Sequence, residues 1–518
     1  MAKRKREETA KEPRASAQPS KVVKSTTANP KASASSTTEK SALTLQIITG
    51  SYDRILHGFT AAVSSDCFSS TESKESAASS VQFTDTFLFE GHSSAIRCLA
   101  LSPLAKTEST DEAQRIILAT GGTDERINLY SLSMAPPAVN DQFPSIPTLG
   151  GNKILENPKN RELGALVHHS ASVSALYFPS RSKLLTASED NTISIAKTRD
   201  FTVVSTIKAP HPKVQGRPSG DTAPPGGSPS GVNDFAVHPS MKLMLSVGKG
   251  EKCMRLWNLV TGKKAGVLNF NREMLQGVKE GKWSTGEGRK IVWNTKGDEF
   301  VVVFEWGAIV FGIDSTPVCR VVPTPRSKLH QITYLPLDPS AEDSEELLAV
   351  STEDGRVMFY STKKTQPAEN DPDCSIPLAE SVAQLGGRAH GFSGRVKDFE
   401  ILSLRDQPSV PKDDFLVVTG NSEGIVRVWL LRGEELVGKK KSKKGSKKSK
   451  TEDEKSSTTA QVGKFLSEVK TDNRITCLKA FVMLPPEDPS TLQVSEEESE
   501  EEEESDDDSE ESEESDEE

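Results

Sequence analysis

Three residues of this chain have the types and close spacing of a hydrolytic triad: His169, Ser188 and Asp190. An imidazole held between a carboxylate and a hydroxyl can take the hydroxyl proton and make its oxygen nucleophilic. His92 and Asp124 repeat the imidazole–carboxylate pair earlier in the chain. The surrounding sequence does not supply the rest of such a site. A tetrahedral intermediate needs an oxyanion hole, and no GxSxG elbow is present. Nucleotide chemistry is equally unsupported: there is no GxxxxGK[ST], and GGSPSG at residues 226–231 lacks a lysine and a following helix. Neither HExxH nor CxxC occurs among the eight histidines and six cysteines, so no metal or other cofactor is expected. The scattered cysteines fit reduced thiols in an intracellular protein. No catalytic residue is assigned.

What positions these residues is a repeat. TGSYDRILHGF (residues 49–59) enters a turn with an acidic residue, and a large aromatic follows six positions later. TGGTDERINLY (120–130) and TGNSEGIVRVW (419–429) have the same form. Seven copies align: Asp53/Phe59, Asp124/Tyr130, Asp190/Ala196, Glu251/Trp257, Glu305/Phe311, Asp354/Tyr360 and Glu423/Trp429. Each reads as strand, tight turn, strand. Six of these hairpins follow a further apolar strand, such as IRCLALSP or VKDFEILSL, and the first does not. RITCLKAFVML (474–484), in turn, is a strand with no hairpin after it. The orphan strand and the orphan hairpin complete each other in an all-β, seven-bladed β-propeller. One of its blades is built from both ends of the chain.

Residues 43–484 would form this ring. A meander of strands a–b–c–d sends its a–b and c–d loops to one face and its b–c and d–a loops to the other. Segments 60–80, 132–161, 361–377 and 432–463 are c–d connections; 104–114, 338–346 and 405–413 are a–b connections. Seven insertions therefore share a face, while the opposite face has long d–a connections only at 210–231 and about 271–287. The adjacent His168 and His169, on an extended strand, would point to opposite sides.

Charge is segregated. Residues 495–518 hold 18 acidic residues and six serines, so removing them takes the net charge from −11 to +7. Residues 485–518 read as a disordered acidic tail and 1–42 as a disordered basic one. Lys3, Arg4, Lys5 and Arg6 form one basic cluster. Lys439, Lys440, Lys441, Lys443, Lys444, Lys447 and Lys448, inside loop 432–463, form another. Without interleaved aromatics these are candidates for nuclear import or RNA-phosphate contact rather than base stacking. No apolar run is long enough to span a membrane, and none is expected as a partner.

The blades resemble WD40 repeats, which carry a Gly-His, a Ser or Thr, a turn Asp and a strand Trp. His92, His169 and His390 stand for the histidine, Ser188 and Asp190 for the middle members, Asp124 for another turn acid, and Trp257 and Trp429 for the tryptophan. This resemblance implies that they form structural blade networks, not a triad. TGSYDRILHGF, GALVHHSASVSALYF, HPSMKLMLSVGKGEKCMRLWNLVTGK and NRITCLKAF together resemble the p21-activated-kinase-interacting-protein-1-like family, a maintenance-of-killer protein in yeast. The resemblance covers residues 45–484. It departs from the pattern at Ala196 and in the expanded 210–231 loop. It implies a non-enzymatic scaffold of the nucleus and nucleolus, an assembly factor for the large (60S) ribosomal subunit. Its partners would be pre-60S assembly factors and ribosomal proteins near pre-ribosomal RNA, with the chain a monomer within a large complex. The alternative is an adaptor that binds and negatively regulates a p21-activated kinase.

Overall fold

A computed structural model of the chain describes residues 43–68, 81–104, 114–136, 146–147, 153–211, 230–281, 284–338, 345–367, 374–407, 410–437 and 459–485. They form a β-propeller of seven four-stranded antiparallel blades. Blade 1 consists of Ile475–Val482, Leu43–Ser51, Ile55–Val63 and Val81–Glu90, from the axis outward. Blade 2 is Ile96–Leu101, Arg115–Gly122, Ile127–Ser133 and Arg161–Leu166; blade 3 is Val173–Ser180, Lys183–Ser188, Thr192–Lys197 and Val203–Lys208. Blade 4 runs from Val232–Val237 through Leu243–Gly248 and Cys253–Asn258 to Lys263–Asn269. Blade 5 comprises Lys290–Trp293, Glu299–Val303, Ala308–Gly312 and Pro317–Val321. Blade 6 comprises Leu329–Pro336, Glu346–Thr352, Arg356–Gln366 and Leu378–Gly386. Blade 7 is Val396–Ser403, Asp414–Asn421, Ile425–Arg432 and Lys464–Lys470.

Position across a blade explains each strand's composition. A b strand lies between two neighbouring blades and is buried on both faces, so it reads as a near-continuous apolar run, as in Asp414–Asn421. A d strand lies at the rim; Val203–Lys208 is exposed at five of its six residues. Three d strands gain cover from added pairing. Ile154 pairs in parallel with Asp85, Ala460–Gln461 with Ala383 and Gln384, and Arg320 with Leu378. Each addition shields an edge that would otherwise present unpaired backbone groups.

Among the described residues the buried apolar side chains fall into seven clusters, and each fills one interface between neighbouring blades. Blade 7 meets blade 1 through Leu416, Val418, Val426, Leu478, Ile47 and Phe59, all fully buried. Blades 4 and 5 meet through Leu245, Val247 and Met254 on one side and Ile291, Phe300 and Phe311 on the other. Here the long d–a connection contributes a short helix, Arg272–Gly277, in a segment that the sequence marks only as a loop. Asn271 caps it, its side-chain oxygen accepting from Met274 N at 2.8 Å. Met274 and Val278 then pack into the same cluster.

The orphan strand and the orphan hairpin meet as expected. Ile475–Val482 pairs antiparallel with Leu43–Ser51, from Ser51↔Ile475 to Leu45↔Val482. The turn of TGSYDRILHGF adds two bonds: Tyr52 N donates to Arg474 O at 2.8 Å, and Arg474 N donates to Asp53 Oδ2 at 3.0 Å. On the other side, Leu478 N donates to the buried Asp398 of blade 7 at 2.8 Å. The ring is therefore closed by hydrogen bonds within blade 1 and by packing against both neighbours. Deleting residues 474–484 should expose the unpaired edge of Leu43–Ser51 and lower stability by several kcal/mol, or cause aggregation. Leu478→Ala should cost about 2–5 kcal/mol. Deleting residues 490–518 should leave thermal unfolding unchanged; equal melting of the strand deletion and the intact protein would disprove closure by this strand.

Candidate functional site

The imidazole–carboxylate pairs form where the d–a connection crosses the b–c turn. In blade 2, His92 Nδ1 lies 3.0 Å from Asp124 Oδ1 and Nε2 lies 2.7 Å from Thr120 Oγ1. Asp124 also accepts from Ser93 N at 3.0 Å. In blade 3, His169 Nδ1 lies 3.0 Å from Asp190 Oδ2 and Nε2 lies 2.8 Å from Thr186 Oγ1. Asp190 further accepts from Thr192 N at 2.8 Å and Thr192 Oγ1 at 2.6 Å. Burial opposes ionisation of Asp190, but hydrogen bonds from His169, Thr192 and Ser170 N outweigh it and hold the carboxyl well below its usual range. Each site has the contacts of a triad, yet the hydroxyls of Thr120 and Thr186 are fully buried. A substrate carbonyl has no path to either oxygen.

The structure changes three assignments. The hydroxyl against His169 belongs to Thr186, not Ser188; Ser188 Oγ donates to Ala171 O at 2.8 Å and accepts from Asp190 N at 3.3 Å, bracing the turn. His168 and His169 do not point to opposite sides. They lie beyond the strand, where alternation no longer applies, and both rings reach Thr186, with centroids 4.1 Å apart. His390 is exposed on a 3₁₀ turn, Arg388–His390, away from any blade network. A glycine-rich approach (Gly387, Gly391 and Gly394, all at positive φ) bends the chain there and carries Phe392 onto Trp429 at 4.7 Å instead.

Blades 4, 6 and 7 carry a buried strand-c arginine that the sequence reading missed. The hydroxyl on strand b is the common hub: Thr120, Thr186, Ser246 and Thr419 face Asn128, Ser194, Arg255 and Arg427 across the ladder. In blades 4 and 7 the hub accepts from an indole, Trp257 Nε1 to Ser246 at 2.8 Å and Trp429 Nε1 to Thr419 at 3.3 Å. The opposed arginine then pairs with acid: Arg255 with Glu251, and Arg427 with Glu468 at 2.9 Å. In blade 6, Arg356 lies 2.6 Å from Asp354. All three arginines are buried; Arg255 and Arg356 take the place of the imidazole beside the turn acid, while Arg427 ties strand c to strand d. A single arginine among apolar residues of strand c, as in IVRVW, was the available signal.

The inner strands of all seven blades line an axial cavity of about 620 Å³. β-Bulges leave Arg97, Ser174, Asn233, Lys397 and Thr476 out of register in five of those strands, and His330 with Gln331 in a sixth. A bulge re-aims one side chain away from the ladder. Arg97, Lys290, Lys397 and Lys479 share the cavity wall with Asp234 and Asp398. Both carboxylates are engaged as inter-blade staples, Asp234 accepting from Ile291 N at 3.1 Å and Asp398 from Leu478 N. Burial, then the charges of Lys397, Arg289, Arg395 and Lys328, lower His330 to about 4, so it is neutral at physiological pH. Around the mouth, Glu189 pairs with Arg97 at 2.9 Å, Glu305 with Lys328 at 2.6 Å and Glu353 with Arg395 at 3.1 Å. These pairs are partly exposed and individually weak.

The six cysteines are free thiols, and burial pushes Cys98 and Cys319 up to about 12, which leaves them unreactive. Among the described residues no group of three or more His, Cys, Asp or Glu could hold a metal, and no helix is long and apolar enough to cross a membrane. Lys3, Arg4, Lys5, Arg6 and the lysines from Lys439 to Lys448 lie outside the described residues. The segment with Lys439 to Lys448 falls in sequence between Val437 and residue 459, that is, between strands c and d of blade 7.

Comparison with known proteins agrees with the geometry. The family model described as "WD domain, G-beta repeat" matches residues 83–131 and 160–195, which contain the two histidine networks. The chain is 25% identical over 320 residues to a zebrafish (Danio rerio) p21-activated protein kinase-interacting protein 1-like, covering 62% of each. It is 26% identical to Protein MAK11 of Saccharomyces cerevisiae, covering 71% of this chain and 74% of that protein. With the human p21-activated protein kinase-interacting protein 1 it shares 22% identity over 47% of this chain and 44% of that one. The chain thus spans a little under two thirds of the zebrafish relative and less than half of the human one.

Thr186→Val should leave His169 Nε2 buried and unpaired and cost about 1–3 kcal/mol, as should Asp190→Ala. Asp190 has a lower pKa folded than unfolded, so its stabilisation is complete above about pH 4 and lost as pH falls further. Denaturant unfolding of the intact protein and of Asp190→Asn should therefore differ at neutral pH and converge in acid. A pH-independent difference would contradict ionisation as the source.

Proposed function

Because the chain is a WD40-repeat protein of the p21-activated-kinase-interacting-protein-1-like family, we propose that it acts without catalysis, as a docking scaffold in assembly of the large (60S) ribosomal subunit. Its place would be the nucleus and nucleolus, where the ring holds assembly factors and ribosomal proteins close to pre-ribosomal RNA. The observation that carries this reading is the division of the two faces. The a–b and c–d connections, including the one that bears the lysine run, all leave the ring on one side, while the b–c turns on the other are short.

Physical reasons support a division of labour between ring and lysines. Seven apolar interfaces hold the ring rigid, so a protein partner meets a preformed surface and little ordering entropy is lost on binding. The lysines between 439 and 448 would neutralise phosphates and release counterions, giving affinity without sequence preference. The polyanionic 495–518 segment would compete intramolecularly for those lysines and limit indiscriminate RNA binding. The buried, internally satisfied His–Thr–Asp networks serve the blades and leave no accessible nucleophile among them.

The alternative is a signalling adaptor that binds and negatively regulates a p21-activated kinase; the names of several relatives support the binding. Cell fractionation separates the two. The assembly reading expects the tagged protein in nuclei, sedimenting with large-subunit precursors; a cytosolic pool that follows the kinase would overturn it. In solution, replacing Lys439, Lys440, Lys441, Lys443, Lys444, Lys447 and Lys448 by Gln should weaken RNA binding across unrelated sequences. The slope of log affinity against log salt should flatten by about 0.7–0.9 for each phosphate no longer neutralised. Removing residues 495–518 should have the opposite effect on affinity. Unchanged slopes in the lysine variant would reduce the loop to a solvated linker.

A further inference from the structure

A second basic feature sits on the same face of the ring, built from residues that lie far apart in sequence. Where blades 2 and 3 meet, a groove of about 950 Å³ is lined by Arg115, Arg161, Arg181 and Arg199, with Phe201 on its wall. Arg115 begins strand b and Arg161 strand d of blade 2, while Arg181 lies in the a–b turn and Arg199 in the c–d turn of blade 3. All four positions are at loops or strand ends on the side where the a–b and c–d connections emerge. Among the described residues, no carboxylate lines the groove. The acids next in sequence, Glu162 and Asp200, are exposed, and Glu162 faces a separate hollow bounded by Phe87, Phe89 and Tyr130.

The groove is held in shape from beneath. Arg181 Nη1 donates to Arg115 O at 2.9 Å, tying the two blades together. Thr198 Oγ1 donates to Arg181 O at 2.8 Å, and Thr198 N to Ser182 O at 3.1 Å, fixing both turns. Phe201 has φ 52, a left-handed conformation that is costly for a bulky aromatic. Its ring lies against Gly164, where an added Cβ would come within 3.3 Å of it, and Gly164 itself has φ 140. A glycine at this point lets the aromatic ring lie on the backbone of the neighbouring blade. Strain of this kind persists where the surroundings over-determine it, and it clusters at binding sites.

From this arrangement we infer that the groove between blades 2 and 3 binds a short single-stranded segment of RNA. Guanidinium groups present planar forks that take phosphate oxygens in pairs, which distinguishes this wall from the lysine run with its point charges. The exposed guanidinium groups of Arg161 and Arg199 stand in a groove with no carboxylate among its described lining residues, and a polyanion neutralises them. An aromatic face beside the cations accepts a stacked base of any identity. An acidic peptide would satisfy the arginines but gives the aromatic face no comparable role. The choice of RNA rests on the assembly reading; the groove itself rests on its own geometry.

The test uses the intact protein and needs no ribosomal particle. Anisotropy of a fluorescein-labelled oligouridylate of about twelve nucleotides is followed over a salt series. The exposed pair Arg161→Ala/Arg199→Ala should weaken binding by about tenfold and flatten the salt slope by about 0.7 for each phosphate that the variant no longer holds. Arg161→Lys/Arg199→Lys should keep the slope and lose only part of the affinity, because charge is retained and the forks are not. Phe201→Leu should cost about fivefold with an unchanged slope, as expected when a base has no ring to stack on. Unchanged affinity and slope in the alanine pair, with an unaltered melting temperature, would overturn the inference. So would an oligoglutamate of similar length that binds more tightly than the RNA and loses that binding in the same variant. RNA binding by the groove in a protein that never sediments with large-subunit precursors would leave the inference standing and remove the assembly reading.

Discussion

Everything in this structure depends on the pairing of Ile475–Val482 with Leu43–Ser51. A blade has two broad faces, and each is buried only because a neighbour lies on either side. In an open array the first and last blades would each expose an apolar face. Making one blade from both chain ends converts seven local packing problems into a single cooperative ring. The cost is topological: the innermost strand of blade 1 is placed only when the last of the described residues are in position. That strand is tied on both sides, with backbone bonds to its hairpin, a bond from Leu478 N to Asp398, and apolar contacts to blades 7 and 2.

Closure also determines where polar chemistry can exist. Inside the blades, the turn acids of five copies are neutralised by an internal donor, a histidine in blades 2 and 3 and an arginine in blades 4 and 6, or accept a backbone N–H, as Asp53 does. These groups support the b–c turns and are turned inward. Function is therefore left to the channel, the rims and the connections. The channel wall carries Arg97 and Lys479, paired with Glu189 and Glu400, beside Lys290 and Lys397, and the long-loop face carries both the arginine groove and the root of the lysine loop.

Much of this was legible in the sequence because hairpins are local. The period from turn acid to aromatic, read over seven copies, gave the blade count, and the unpaired hairpin at 49–59 with the unpaired strand at 474–484 gave the closure. Thr186 was not legible. It lies on the same side of Lys183–Ser188 as Ser188, and both are hydroxyls near Asp190; only the path of residues 167–169 past the end of the strand decides which one the imidazole meets. His390 misled because a histidine before an inner strand was read without the positive-φ glycines that turn it outward. The buried arginines were marked only by standing alone among the apolar residues of strand c, as in IVRVW. The groove was least visible of all, since Arg115, Arg161, Arg181 and Arg199 converge only when a–b and c–d turns of neighbouring blades are laid side by side.

Native-state hydrogen exchange at the closing blade tests the central claim most directly. The amides of Leu43–Ser51 and Ile475–Val482 that bond one another should exchange only through global unfolding, with the same free energy and denaturant dependence as those of Asp414–Asn421 in blade 7. Exchange of the closing amides through a separate, lower-energy opening, while the other blades stay protected, would contradict the account of a ring held shut by this pairing.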